Sequence, residues 1–208
     1  MKKKQKFYSL WLCLIIVIIF VIQSIIPNFT EMFLLNEKAI TGEYWRFFTS
    51  IFIHADIAHL MYNLFALFFF GILLEKLIGS TKFLIVFFTS GIIASLISVN
   101  FYGSSLGASG AIYGLIGCLA ILKPLMMVWA FGLVMPMFIA AIVWILGGVL
   151  GLFIPSNTGH IAHLSGIGVG FIIGLRLLLG SKKKKQIKHN KIEIPENYVR
   201  IWENQYMK

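Results

Sequence analysis

Long apolar segments alternate with short polar ones along almost the whole chain. Six of these segments have the length and hydrophobicity of helices that enter or cross a membrane, where spanning takes about 20 apolar residues. The fourth segment is the shortest, and it begins at a serine. We predict helices over Tyr8–Ile26, Ile57–Leu77, Thr81–Val99, Ser109–Leu122, Pro136–Phe153 and Gly159–Leu179. The pattern therefore indicates an all-α polytopic membrane protein with six transmembrane helices.

Two connections between these helices carry a prediction of their own. The stretch Leu125–Met135 is apolar, but prolines bound it on both sides, so we expect a partly immersed connection. One continuous helix over Leu125–Phe153 is the alternative. The connection Pro27–Asp56 is long and rich in aromatic residues, which favours an ordered segment over a disordered one. An amphipathic hairpin in the outer interface fits that composition.

The composition excludes an ordinary soluble protein. Of the 208 residues, 59% are hydrophobic and only 12% are charged, and the mean hydropathy is +0.87. A soluble domain of this length could not cover that much apolar surface.

The basic residues are concentrated in two terminal blocks, which decides how the net charge of +10 is interpreted. The blocks are Lys2–Lys6 and Lys182–Lys188, and each flanks an apolar segment. Such placement is typical of cytoplasmic flanks beside anionic lipid. We therefore expect the lipid bilayer as a partner and no nucleic acid.

The same charges predict the orientation of the chain. With six helices and both termini in the cytoplasm, only Lys38 and Arg46 among the 18 basic residues lie on the outer side. We divide the chain into a transmembrane core, residues 1–180, and a polar, Lys-rich cytoplasmic tail, residues 181–208. Within the tail, Ile192–Tyr206 is a candidate structured segment.

A few polar residues lie near the outer ends of the predicted helices. Each alone has an ordinary explanation: a serine in a glycine-rich helix serves packing, an asparagine bonds a neighbouring helix, and a histidine is a satisfied core residue or, for His54 and His160, a water-exposed interfacial one. These separate explanations do not account for the similar depth of the residues. A similar depth indicates instead that three helices bring polar groups to one cavity. The residues are His54, His59, Asn63, Ser109, His160 and His163.

These residue types suit nucleophilic catalysis. A serine becomes a nucleophile when a base takes its proton, and histidine is the usual base, which would pair Ser109 with His163. At a helix N-terminus, Ser109 also lies where free backbone N–H groups stabilise an anion. His59 and Asn63, four residues apart on one helical face, could add donors to that charge. Tyr113, one turn after Ser109, could support the imidazole ring.

Small residues explain how the fourth and sixth helices approach each other. Two stripes at four-residue spacing allow close backbone contact when they face each other, and such contact would bring His163 within reach of Ser109. The first stripe comprises Gly110, Gly114 and Cys118, and the second Ala162, Gly166, Gly170 and Gly174.

Several other classes are excluded or disfavoured. Asp56 is the only aspartate, so an aspartyl protease, which needs two carboxylates, is excluded. The sequence has no H-E-x-x-H motif, and His54 and His59 do not share a helical face, so we expect no metal and no cofactor. No acidic residue is predicted at mid-membrane, because Glu75 lies at the cytoplasmic end of the second helix. Ion-coupled transport, which usually needs such an acid, is therefore disfavoured. A channel would need a continuous polar path that the apolar inner halves lack.

The motifs together resemble those of the rhomboid intramembrane serine proteases. They occur in the family's order and extend over most of the chain, although the Pro124–Pro136 connection and the tail have no clear match. The matching pieces are Tyr44-Trp45-Arg46, His54 to Asn63 (HADIAHLMYN), Gly107-Ala108-Ser109-Gly110 and Ala162 to Gly170 (AHLSGIGVG).

The resemblance implies a six-transmembrane-helix rhomboid-like bundle and a role for each motif. Ser109 would be the nucleophile and His163 the general base, while His59, Asn63 and the Ser109 backbone N–H would line the oxyanion hole. The supporting residues would be Tyr113 and the glycines of the close contacts. The fifth helix would be a mobile wall through which the substrate enters, and Trp45–Arg46 would belong to the outer loop. The supporting glycines are Gly107, Gly110, Gly166 and Gly170.

The activity implied is that of a serine endopeptidase that cleaves transmembrane segments of single- or multi-span membrane proteins near the outer face. The implied location is the plasma membrane of a prokaryote. The alternative is a catalytically inactive rhomboid-like protein that binds transmembrane segments. Such a protein would have lost the serine or the histidine, and this sequence has both.

Overall fold

The computed structural model describes residues 7–154, 158–190 and 196–207 of the chain. These residues are mostly helical, with two small two-stranded antiparallel sheets. The chain divides into two compact units, and the division falls between Leu175 and Arg176. The prediction of a mainly helical protein is confirmed, whereas the two sheets were not expected.

Helices occupy all six predicted positions. Four helical stretches among the described residues are long and apolar enough to cross a membrane, and two apolar helices are shorter. The four are α1 (Tyr8–Ile25), the composite helix formed by α4 (Ile57–Ala66) and α5 (Ile72–Ile78), α6 (Ser80–Ser98), and α9 (His160–Asn190) over its first part to Ser181. The shorter two are α7 (Ser109–Leu122) and α8 (Met137–Gly151).

A π-helical turn over Leu67–Gly71 joins α4 to α5. A Cβ atom at Gly71 would lie 3.0 Å from the Cβ atom of Ser9, so the glycine lets α1 pass close to this turn. Ser9 is fully buried there. The second membrane helix is thus packed against the first at its least regular point.

The start of α1 is capped by a side chain from α5. The Glu75 carboxylate is fully buried and accepts hydrogen bonds from the Tyr8 backbone N–H, at 2.8 Å, and the Ser9 backbone N–H, at 2.9 Å. The first amides of a helix lack partners within the helix and carry the positive end of its dipole. An acid distant in the sequence therefore satisfies both requirements of the α1 terminus.

The long connection between α1 and α4 is ordered by short elements rather than by the amphipathic hairpin we predicted. It contains α2 (Phe29–Phe33), β1 (Leu35–Asn36), α3 (Arg46–Thr49) and two 3₁₀ turns, and β1 pairs with β2 (Ser104–Ser105). The Arg46 guanidinium, only 3% exposed, bridges these elements. It donates to the carbonyls of Glu31 and Leu34 and forms an ion pair with Glu43.

A β-hairpin connects α7 to α8. Its strands are β3 (Met127–Ala130) and β4 (Leu133–Pro136), and the two turn residues, Phe131 and Gly132, both have positive φ, as a type I′ turn requires. The predicted interruption between the prolines is confirmed, and the alternative of one continuous helix is wrong.

Small residues place α7 in tight contact with α6 on one side and α9 on the other. A Cβ atom at Gly110 would lie 2.8 Å from the Cβ atom of Ala94 on α6, and one at Gly114 would overlap Ser90. On the other side, Cβ atoms at Gly166 and Gly170 would overlap the carbonyl oxygens of Gly110 and Gly114. The facing stripes predicted from the sequence are confirmed, and α7 is almost wholly buried between its neighbours.

The second unit contains the end of α9 and a helix, α10 (Glu196–Tyr206), whose side chains are exposed. The candidate segment Ile192–Tyr206 is therefore helical from Glu196 on, while its first four residues lie outside the described residues. The basic block Lys2–Lys6 also lies outside them.

Candidate active site

Ser109 and His163 are in direct contact. Their Oγ and Nε2 atoms are 2.8 Å apart, a hydrogen-bond distance, and both residues are half-buried. Ser109 is the first residue of α7 and His163 lies in the first turn of α9. The structure therefore brings together the two residues that the sequence predicts as nucleophile and base.

The backbone before Ser109 explains how the serine comes to lie at a helix start. Gly107 has φ of +113°, a value that L side chains rarely adopt. Its N–H donates to the carbonyl of Ser50 at 2.9 Å, which fixes the loop to the end of the outer connection. The chain then turns into α7, so the first amides of the helix, beginning at Ser109, have no carbonyl one turn earlier to accept them.

The imidazole of His163 is held by an aromatic ring. Tyr113 stacks on it with a centroid separation of 4.2 Å and an interplanar angle of 6°. The start of α9 is fixed by Tyr102, whose hydroxyl accepts a hydrogen bond from the backbone N–H of Ile161 at 3.0 Å.

His59 and Asn63 lie on α4 at the same face of the site. The His59 ring lies against Gly107, where an added Cβ atom would come within 2.7 Å of its Cε1 atom. The backbone N–H of His59 donates to Asp56, the N-cap residue, at 2.8 Å. Asn63 is buried and donates one amide hydrogen to the carbonyl of His59 at 2.9 Å.

The expectation that His54 is exposed to water is wrong. His54 is fully buried, and its backbone is bonded to the Gln23 side chain of α1, which donates to its carbonyl, at 2.6 Å, and accepts from its N–H, at 3.2 Å. Burial lowers the pKa of His54 from 6.5 to about 4, with a further contribution from His59, whose ring centroid is 5.1 Å away. The carbonyl of Phe52 opposes this shift. His54 is thus a neutral residue behind the site. His160, half-buried, lies 6.2 Å from His163, ring to ring.

The arrangement suits acyl transfer. A nucleophile and a base are in contact at the start of α7, and the His59 ring of α4 lies against Gly107, two residues before the nucleophile. Within residues 7–154, 158–190 and 196–207, no group of three or more His, Cys, Asp or Glu side chains could hold a metal ion.

Two residues near the site were not predicted from the sequence. One is Tyr102, and the other is Trp144 of α8, which contacts Tyr113 edge-on with ring centroids 6.4 Å apart. Neither has a sequence signal, because an aromatic residue in an apolar helix or an outer loop is common and ordinarily serves packing.

Comparison with known proteins agrees with the sequence motifs. A family model described as the Rhomboid domain matches residues 41–180. Among curated proteins, RHOMBOID-like protein 1 of Arabidopsis thaliana is 34% identical over 139 residues. The "Putative rhomboid protease YdcA" of Bacillus subtilis is 35% identical over 155 residues. Rhomboid protease GluP of the same bacterium is 43% identical over 86 residues.

The extent of these matches differs between relatives. The aligned part covers 66% of this chain but only 35% of the Arabidopsis protein. For YdcA it covers 73% of this chain and 75% of the relative, and for GluP 40% and 17%. The chain thus spans about a third of the length of the plant relative and about three quarters of that of YdcA.

Proposed function

The chain belongs to the rhomboid family, and from this we propose that it is an intramembrane serine protease acting through Ser109 and His163. The Ser109–His163 contact at 2.8 Å carries the proposal. The alternative, an inactive relative that binds transmembrane segments, gains no support from a site in which both residues are present and in contact.

The first half of the reaction is acylation. Nε2 of His163 accepts the Ser109 proton while Oγ attacks a substrate peptide carbonyl, which becomes a tetrahedral oxyanion. This step requires the imidazole proton to be on Nδ1, and stacking on Tyr113 holds the ring in the orientation that presents Nε2. The imidazolium then protonates the leaving amine, the C–N bond breaks and an acyl-enzyme remains.

The second half is hydrolysis. Water adds to the acyl carbonyl as His163 takes one of its protons, and the new tetrahedral intermediate collapses with return of that proton to Ser109 Oγ. The oxyanion of both intermediates would be stabilised by the Ser109 backbone N–H and by side-chain N–H groups of His59 and Asn63. The position of Asn63 one turn after His59 on α4 supports this role.

The protein is an integral membrane protein, and its topology and substrates complete the proposal. We place six membrane crossings in it, with both termini in the cytoplasm and the site towards the outer face, in keeping with the distribution of basic residues. The substrates would be transmembrane segments of other membrane proteins that unwind near their outer ends. The host membrane would be a prokaryotic plasma membrane, in line with the Bacillus relatives.

The deciding experiment compares Ser109→Ala with the matched control Ser105→Ala in proteoliposomes. Ser105 lies in β2, four residues before Ser109, and has no role in the proposed chemistry. We expect Ser109→Ala to abolish both cleavage of a panel of single-span substrates and covalent labelling by a fluorophosphonate, and Ser105→Ala to retain both. Thermal unfolding should be similar in the two variants.

Two outcomes would contradict the proposal. Cleavage by Ser109→Ala at the wild-type rate would remove the serine from the chemistry. A folded wild-type protein that neither cleaves nor is labelled, but still binds transmembrane segments, would favour the inactive relative.

A further inference from the structure

The helix α10 has an aromatic stripe that no other described residue buries. Tyr198, Trp202 and Tyr206 recur at four-residue spacing, so they lie on one face of the helix. The rings of Trp202 and Tyr206 are 5.9 Å apart between centroids. The three side chains of this aromatic stripe are 56–66% exposed. The stripe is therefore a surface for which the described part of the chain provides no covering.

The charged side chains of α10 are separated from the aromatic stripe. Glu196, Arg200 and Glu203 follow a helical spacing of their own on another face, so α10 is amphipathic. It has only 11 residues, and a helix of that length is marginal in water unless its apolar face is covered. Tryptophan and tyrosine favour the membrane–water interface, because their rings are apolar and their polar atoms need hydration.

The segment before α10 carries the charge that selects an anionic surface. Between Ser181 and Ile192 the sequence has six lysines and no acidic residue. Lysines that follow a membrane-spanning helix attract anionic lipid headgroups. An amphipathic helix next to such a basic segment combines the apolar and the electrostatic contributions on which binding to a membrane surface depends.

The chain is long enough to bring α10 back to the membrane. The apolar span within α9 ends at Ser181, and the helix continues to Asn190. Residues 182–190 therefore add about 14 Å of helix, and residues 191–195 can extend over about 17 Å. Even if α9 continued straight out of the membrane, α10 could reach the surface from which α9 emerges.

From these observations we propose that α10 lies on an anionic membrane surface, with its aromatic stripe among the lipid headgroups. A second copy of the chain is a poorer occupant, because three turns are short for a coiled coil and the six lysines would repel those of the copy. The inference goes beyond the proposed protease function and does not depend on the Ser109–His163 chemistry.

Trp202 reports the docking in full-length protein reconstituted into proteoliposomes. It is one of five tryptophans, so its emission is obtained by subtracting the spectrum of Trp202→Phe, which keeps an aromatic ring in the stripe. The vesicles are phosphatidylcholine alone or with about 30% phosphatidylglycerol. The quencher is phosphatidylcholine brominated on its acyl chains. Both leaflets have the same composition, so the measurement does not depend on the orientation of the protein.

A matched pair of substitutions tests the aromatic stripe itself. Tyr198→Glu places a charge on the stripe, whereas Asn197→Glu places the same charge in the same turn on a different face. Both new acids lie in the first turn of α10, where they favour the helix rather than unfold it. Each variant is measured against its own Trp202→Phe derivative. A difference between the two variants therefore reports the face and not the charge.

In the phosphatidylglycerol vesicles we expect the Trp202 emission to shift to shorter wavelength and to be quenched by the brominated lipid. Both effects should be largely lost in phosphatidylcholine alone, which lacks the anionic headgroups, and at about 0.5 M salt, which screens the lysines. Tyr198→Glu should lower the ratio of docked to free helix by at least about tenfold relative to Asn197→Glu, because only the first would bury an unpaired charge.

Three results would overturn the inference. Trp202 emission that is equal in both kinds of vesicle and is not quenched would show that α10 stays in water. Equal quenching in both, unaffected by salt, would show that anionic lipid is not selected. A shift that grows with protein density, without quenching by lipid, would assign the stripe to a second copy. Fluorophosphonate labelling of Ser109 in the same vesicles shows separately whether the proposed protease function fails.

Discussion

Gly170→Val tests the contact on which the Ser109–His163 geometry depends. Gly170 lies two turns after His163 on α9, and a Cβ atom there would overlap the Gly114 carbonyl and lie 2.8 Å from its carbon atom. Ordinary carbon–carbon contacts begin near 3.5 Å. The neighbouring atoms are backbone, so they cannot turn aside as a side chain would, and the two helices must separate.

The size of the effect follows from these distances. Restoring a normal contact with the Gly114 carbonyl oxygen, the closest atom, requires α9 to move away from α7 by about 1 Å or more for alanine, and by more for valine. A straight helix transmits that movement through two turns, and the 2.8 Å distance from Ser109 Oγ to His163 Nε2 would lengthen beyond 3 Å. We expect about a hundredfold loss of cleavage rate for alanine and a larger loss for valine. Overpacking should also destabilise the fold by about 1–3 kcal/mol.

The assay has a matched control on the same helix. Gly168 has no atom within 4 Å of where its Cβ would lie, so Gly168→Ala and Gly168→Val change the sequence equally without touching α7. Cleavage rate and thermal midpoint are measured for all four variants in the same lipid. The Gly170 pair should show a graded loss in both measurements, and the Gly168 pair should match wild type.

Wild-type behaviour of Gly170→Val in both assays would refute the close contact between α7 and α9. A loss equal to that of Gly168→Val would point instead to a general effect of β-branched residues on helix insertion. Either result would remove the packing support for the Ser109–His163 pair.

Three further results are expected. Gly107→Ala should lower kcat by about 10²–10³, because the added methyl meets the His59 ring and the backbone there has φ of +113°; an unchanged kcat would remove His59 from oxyanion stabilisation. Glu75→Gln should lower the stability by about 1–2 kcal/mol and leave kcat unchanged, since it weakens the α1 cap without reaching the site; hydrogen exchange of the first α1 amides would show this directly. The free energy of unfolding should decrease as the pH falls from 6.5 to 4. In this range the unfolded chain binds a proton at His54 that the buried side chain, with a pKa of about 4, does not bind. His54→Gln should flatten this dependence, as measured by the thermal midpoint at each pH.

The sequence predicts the centre of the molecule better than its connections. Glycines at four-residue spacing indicate a close helix contact from the sequence alone. The Ser109 and His163 motifs likewise contain the residue types of a nucleophile and a base. The hairpin could not be predicted, because Phe131-Gly132 lacks the usual turn residue at its first position and both strands are as apolar as a membrane helix.

Other features depend on partners that are distant in the sequence. His54 is fully buried, and its backbone is bonded to Gln23, 31 residues earlier. Placement near the outer end of a helix predicts contact with water, and only the tertiary contact reverses that expectation. Trp144 is likewise indistinguishable from a lipid-facing aromatic until the ring of Tyr113 is seen beside it.

The buried cap on α1 has a consequence for biosynthesis. The carboxylate that accepts the Tyr8 N–H comes 67 residues later in the chain, so it does not exist when α1 leaves the ribosome. Until α5 is inserted, the first amides of α1 must find their hydrogen-bond acceptors in water or lipid headgroups. The native cap of α1 is therefore completed only after α5 has followed it into the membrane, so the first turn of the first helix depends on a helix that is made later.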